Sequence, residues 1–129
     1  MPEFSGIHHL ALTVSNLETS VAFYQRVFGF SPVGELDGEN LQRRVFALPG
    51  GTNLGLTEHH RTTMDRFSPF EPGLDHLGFG VSTTAELQGW ADHLTSVQVA
   101  HGGLVDAPYG TALSFIDPDG IALEFFVGK

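Results

Sequence analysis

Two stretches of the chain repeat one another, and each carries a histidine at the same place. Gly6-Ile7-His8-His9-Leu10-Ala11-Leu12-Thr13-Val14-Ser15 aligns with Gly73-Leu74-Asp75-His76-Leu77-Gly78-Phe79-Gly80-Val81-Ser82. At this offset of 67 residues, from His9 to His76, Gly, His, Leu, Val and Ser recur. Downstream, Phe23 corresponds to Trp90 and Val27 to Leu94. A repeat spanning half a chain implies two similar units packed together. A histidine repeated within such a unit points to one shared site with a ligand from each half.

The alphabet of side chains narrows what that site can be. No cysteine is present, so disulfides and thiolate metal sites are excluded, and any metal must be held by His, Asp, Glu or water. The formal net charge of −9 argues against nucleic acids and anionic membranes as partners. Only Arg26, Arg43, Arg44, Arg61, Arg66 and Lys129 are cationic, so a polyanionic substrate would depend on those few. The 129 residues, 41% hydrophobic and 16% charged, suit one compact globular domain made of two modules. No apolar run approaches a membrane span and no leader pattern opens the chain, which leads us to expect a cytoplasmic protein.

The expected elements follow the repeat. Ile7–Val14 alternates with period two and reads as a strand. Ser15-Asn16-Leu17-Glu18 has the form of a capping box, Leu17, Val21, Tyr24 and Phe28 follow at helical spacing, and Gly29 suits the helix stop. Strands are expected over Ser31–Leu36, Leu41–Leu48 and Thr52–Glu58. The second module repeats the order: a strand over Leu74–Val81, a capping box Thr83-Thr84-Ala85-Glu86, and a helical stripe of Leu87, Trp90, Ala91 and Leu94. A short strand near Val97–Ala100 and strands over Thr111–Ile116 and Ile121–Val127 follow. Asp117-Pro118-Asp119-Gly120 is the turn between the last two. The modules are thus 6–58 and 73–129 within a single domain 1–129, joined by a segment over 59–72.

Strand alternation converts this order into geometry. Leu10, Leu12 and Val14 share the helix-facing side of the first strand with His8, whereas Ile7, His9, Ala11 and Thr13 share the other. In the fifth strand His76, Gly78 and Gly80 stand opposite Leu77, Phe79 and Val81. In the last strand Glu124 shares a face with Ala122 and Phe126, opposite Ile121, Leu123, Phe125 and Val127. Asn53, Gly55 and Thr57 face away from the helix side held by Leu54 and Leu56. Polar groups set among small residues are what a cavity wall needs. A carboxylate in an otherwise apolar strand is costly unless it is paired or metal-bound. His9, His76 and Glu124 therefore form a candidate His-His-Glu metal set that leaves coordination positions open.

The segments His9-Leu10-Ala11-Leu12-Thr13-Val14, Ser20-Val21-Ala22-Phe23-Tyr24 with Phe28-Gly29-Phe30, Asp75-His76-Leu77-Gly78-Phe79-Gly80-Val81 and Asp117-Pro118-Asp119-Gly120-Ile121-Ala122-Leu123-Glu124 resemble the vicinal oxygen chelate superfamily. That group contains glyoxalase I, extradiol dioxygenases, methylmalonyl-CoA epimerase, and fosfomycin and bleomycin resistance proteins. The resemblance covers nearly the whole chain. It implies an α+β fold of two βαβββ modules whose curved sheets form a cup, and it places the family's commonest metal positions on His9, His76 and Glu124. The implied cofactor is a divalent ion (Fe, Mn, Ni or Zn), and the implied assembly a homodimer, with the cup built within one chain or across two. Glyoxalase I and the epimerase draw a fourth ligand from the position matching Gly55, where this chain has no side chain, so lactoylglutathione lyase activity is disfavoured. Relative to the fosfomycin-modifying transferases, Ala11 replaces a threonine, and lysine is confined to the C-terminus.

The expected function is thus a glyoxalase-like, metal-dependent enzyme acting on a small oxygen-chelating substrate by lyase, isomerase, transferase or ring-cleaving dioxygenase chemistry. The alternative is a non-catalytic protein that sequesters a drug or metabolite, as bleomycin resistance proteins do. His101 and Tyr109, read as loop residues near the mouth, are candidates for an acid, base or substrate donor. Arg43 is expected to face the cup, since Arg44 shares parity with Phe46 and Leu48. Asp75 is a candidate to accept a hydrogen bond from a ligating histidine. His8, His59, His60 and His93 are expected to be structural or solvated. Phe67, Phe70 and Phe126 are candidates to line an apolar pocket or simply to pack.

Overall fold

A computed structural model describes residues 1–63 and 65–129. Met64, inside the predicted joining segment, lies outside the described residues. The chain divides into two compact units, Met1–Asp65 and Arg66–Lys129. Each is a four-stranded mixed sheet with one helix, so the α+β architecture of two βαβββ modules is present.

In the first unit the order is β1 (His9–Thr13), α1 (Leu17–Phe28), β2 (Gly34–Asp37), β3 (Leu41–Ala47) and β4 (Asn53–His59). Across the sheet the order is β1-β4-β3-β2, with β1 parallel to β4 and the other pairs antiparallel. One face buries Leu12, Val14, Phe46, Leu54 and Leu56 against Leu17, Phe23, Tyr24 and Val27 of α1. The buried helix face is centred on Phe23, Tyr24 and Val27; Val21 and Phe28 of the predicted stripe lie at its half-buried margins.

The cap of α1 also differs from expectation. Asn16, not Ser15, is the N-cap, and its side-chain oxygen accepts the Thr19 amide at 3.0 Å. The Glu58 carboxylate, from the far end of β4, accepts the Leu17 amide at 2.8 Å. With that first amide satisfied from β4, the frame shifts one residue along. Gly29 ends the helix as predicted, at φ 82°.

The second unit runs β5 (Leu77–Gly80), α2 (Thr84–Ser96), β6 (His101–Ala107), β7 (Gly110–Ile116) and β8 (Ala122–Gly128), with sheet order β5-β8-β7-β6. Thr83 caps α2 by accepting the Glu86 amide at 3.1 Å. Leu87, Ala91 and Leu94 are buried, and Trp90 stacks on Phe125 with ring centroids 4.1 Å apart.

The strand predicted near Val97–Ala100 is displaced: those residues form the helix exit, with Gln98 at φ 62°, and β6 begins at His101. The dipeptide Gly102-Gly103, which reads as a loop, lies within β6 at the point where the register shifts, and Gly103 adopts φ 70°. The turn before β8 is held by Asp117, whose buried carboxylate accepts the amides of Asp119 and Ile121, both at 2.9 Å.

One glycine of α2 serves no visible purpose. Gly89 is exposed, and a Cβ there would meet nothing within 4 Å. The variant Gly89→Ala should raise stability by about 0.5–1 kcal/mol through lost unfolded-state entropy and better helix propensity. An increase in the urea midpoint without a change in slope would check it.

Candidate metal centre

The second unit brings two of the predicted ligands together. His76 immediately precedes β5, and Glu124 lies in β8 directly opposite Gly78. His76 Nε2 stands 3.4 Å from Glu124 Oε1. On its other side, Nδ1–H donates to Asp75 Oδ1 at 2.6 Å; an ionised carboxylate only accepts, which fixes the donor. This is the arrangement by which a carboxylate orients an imidazole so that its second nitrogen can ligate a metal.

Small neighbours make room for Glu124. It is flanked by Gly78 on β5 and Ser114 on β7. A Cβ on Gly78 would stand 3.3 Å from Glu124 Oε1, closer than side chains normally tolerate. The carboxylate is mostly shielded while His76 is half exposed, so a ligand from solvent can reach the pair. Next along the Glu124 face comes Phe126, whose ring stacks with that of Tyr109 at 6.0 Å. Tyr109, in the β6–β7 turn, is largely exposed.

The same carboxylates raise the His76 pKa. The Asp75 hydrogen bond is the largest cause and the Glu124 charge adds to it, against partial desolvation. In the metal-free protein the folded state therefore holds this proton more tightly than the unfolded chain. Its stabilising contribution is complete below the ordinary histidine value of about 6.5 and fades as pH rises through the elevated folded value. An NMR titration of the His76 ring should show the upward shift, and Asp75→Asn should remove most of it.

His9 opens β1 in the first unit, on the face away from α1, and is exposed. Its Nδ1 lies 2.9 Å from Nδ1 of His8, which is also exposed rather than covered by the helix. Ala11 pairs with Gly55, and Thr13 with Thr57. Arg43 lies on this same face, as its parity predicts, and Arg44 lies on the other, bonded to Asp37 at 2.9 Å. Among the described residues, no group of three His, Asp or Glu side chains is gathered closely enough to hold a metal ion.

His101 is placed differently from its expected loop. It pairs with Phe115 on the α2 side of the sheet, opposite Glu124. Its Nε2 is 2.8 Å from the Thr95 hydroxyl, and its Nδ1 accepts the Gly103 amide at 3.0 Å. These contacts bind the end of α2 to the bulge of β6. His93 packs against Trp90, at 5.5 Å between centroids.

The two halves match in register but not in chemistry. His76 is followed two residues on by Gly78, opposite Glu124; His9 is followed two residues on by Ala11, opposite Gly55. Gly55 is therefore the first unit's counterpart of Glu124. Sequence offset alone hides this correspondence, because it aligns Glu124 with Thr57.

His76 and Glu124 present two potential donors to each other. One imidazole nitrogen and one carboxylate oxygen face each other, the imidazole is oriented by a further carboxylate, and a glycine leaves the approach clear. The chain belongs to the Glyoxalase/Bleomycin resistance protein/Dioxygenase superfamily, whose sequence profile matches residues 6–125. It is similar to a glyoxylase/bleomycin resistance protein/dioxygenase domain from Frankia sp. EAN1pec, at 32% identity and TM-score 0.89, covering 98% of this chain and 100% of that one. It is also 27% identical over 124 residues to MhqA of Bacillus subtilis (strain 168), named as a candidate ring-cleaving dioxygenase; the match covers 94% of this chain but 39% of MhqA. The fold is shared with the fosfomycin resistance protein FosX of Listeria monocytogenes, at TM-score 0.76 and 18% identity over 98% of this chain and 96% of that one. No helix among the described residues is long and apolar enough to cross a membrane.

Proposed function

We propose that this protein is a divalent-metal-dependent enzyme acting on a small substrate that chelates through oxygen. Glu124 and His76 are the core of the proposed ligand set. The observation that carries this reading is the meeting of His76 Nε2 and Glu124 Oε1 at 3.4 Å while Asp75 holds Nδ1. Bound there, a divalent ion supplies a Lewis acid that stabilises negative charge on a substrate oxygen. Asp75 keeps the imidazole in the ligating tautomer, and Gly78 and Ser114 leave the Glu124 carboxylate room to turn. Phe126 and Tyr109 offer a flat apolar wall beside the carboxylate, and the Tyr109 hydroxyl is a donor within that wall.

Ring-cleaving dioxygenase chemistry is the reaction type with most support, since an aromatic wall adjoins the ligands and MhqA is a relative. Lactoylglutathione lyase chemistry is disfavoured because Gly55 stands where the first unit would have to supply a carboxylate. The test is elemental analysis after loading with Mn, Fe, Ni or Zn. We expect one ion per His76–Glu124 pair, lost in His76→Ala. Failure to take up any of these metals would favour the alternative, a sequestering protein.

A further inference from the structure

Consecutive side chains of a strand point to opposite faces, so neighbouring rings do not ordinarily meet. His8 and His9 depart from this. Their Nδ1 atoms stand 2.9 Å apart, with the ring planes at 89° to one another. The convergence falls where β1 begins: Gly6 turns the chain at φ 94°, and His9 is the first residue of the strand. The backbone beneath the rings is pinned. The Thr52 hydroxyl donates to the Ile7 carbonyl at 3.2 Å, and the Asn53 amide donates to the His8 carbonyl at 3.1 Å. In the other adjacent pair, His59-His60, the amides are bonded to Thr62 and Asn40, and among the described residues the rings do not meet.

Two imidazole lone pairs facing each other at this distance repel unless positive charge lies between them. A shared proton supplies it, and so does a metal ion. The spacing selects the ion. Two nitrogens bound at about 2.1 Å lie about 3.0 Å apart when they subtend a right angle, and about 3.4 Å apart in a tetrahedron. The 2.9 Å found here matches neighbouring positions on a tetragonal ion, the geometry of Cu(II) and Ni(II). The near-perpendicular rings keep the two imidazoles clear of each other in those positions. Both histidines are exposed, so an ion reaches them from solvent and keeps water at its remaining positions.

We propose that His8 and His9 form a chelating site for Cu(II) or Ni(II), built from the first unit alone. Each ring binds through Nδ1, and the shared proton passes to Nε2 of its own ring, so both imidazoles bind neutral. In the internal repeat His8 stands where the second unit has Asp75. There a carboxylate holds Nδ1 of the following histidine; here an imidazole does, and an orienting contact becomes a pair of nitrogen donors. The site does not rest on the metal reading of His76 and Glu124.

Cu(II) titration followed by EPR tests it, with Ni(II) calorimetry for affinity. In His76→Ala, one equivalent of Cu(II) should still bind, with the nitrogen splitting of two equatorial imidazoles. Adding His8→Ala should remove that two-nitrogen signature and weaken Ni(II) by at least about tenfold, since a direct ligand should cost no less than a supporting partner. Adding His60→Ala instead should change neither. Absence of the two-imidazole signal in His76→Ala, or binding unchanged by His8→Ala, would overturn the proposal. In the unaltered protein two Ni(II) ions should bind, one lost in His76→Ala and the other in His8→Ala. A single ion lost on either substitution would mean one shared site and would also overturn it. A single ion lost in His8→Ala alone would uphold this site and sink the His76–Glu124 reading; a single ion lost in His76→Ala alone would do the reverse.

Discussion

Replacing Glu124 with glutamine should lower divalent-metal affinity by about 100-fold or more, at the upper end of what perturbing a ligand's supporting partners costs. The side chain keeps its shape and its place between Gly78 and Ser114, so the metal-free fold should be little changed. What disappears is the charge facing His76 Nε2. Two measurements check this together. Calorimetric titration with Mn or Ni reads the lost affinity. NMR of the metal-free variant should show the His76 pKa moving down from its raised value, because one of the causes holding it up is gone. Metal binding of undiminished strength in Glu124→Gln would remove the carboxylate from the ligand set.

The largest expected effect on folding lies at a glycine. Gly110 begins β7, is buried, and pairs with Gly128. A Cβ there would collide with the Phe126 ring and with the Val127 carbonyl. The ring can turn, but the carbonyl belongs to the neighbouring strand and cannot move without disturbing the pairing of β7 with β8. Gly110→Ala should therefore cost about 3 kcal/mol, the upper range for overpacking, and lower the melting temperature by roughly 10 °C or more. Urea denaturation of the metal-free protein measures it. A loss below about 1 kcal/mol would mean that the strand end yields easily. Because Phe126 adjoins Glu124, a variant that folds should also bind aromatic compounds less well.

Much of this arrangement was legible in the sequence. Period-two alternation assigned His9, Gly55, Arg43 and Glu124 to their faces, because a strand with one apolar side leaves no freedom of register. The internal repeat announced two like modules. What escaped depends on partners distant in sequence. The cap of α1 lies at Asn16 rather than Ser15 because Glu58, 41 residues beyond Leu17, supplies an acceptor for the Leu17 amide. The start of β6 was hidden because Gly102-Gly103 signals a turn, and a bulge uses the same residues. His101 was assigned to the mouth for want of a strand to give it parity; once β6 includes it, it faces α2. The correspondence of Gly55 with Glu124 is a matter of strand register, which a constant residue offset cannot reveal.

The bond from Leu17 N–H to Glu58 joins the first turn of a helix to the end of a central strand. Helix ends usually fray independently of the sheet they cover. Here the opening amide cannot exchange its hydrogen with solvent until the carboxylate from β4 lets go. The start of α1 should therefore show slow, strand-like deuterium uptake rather than the rapid labelling of a loose terminus.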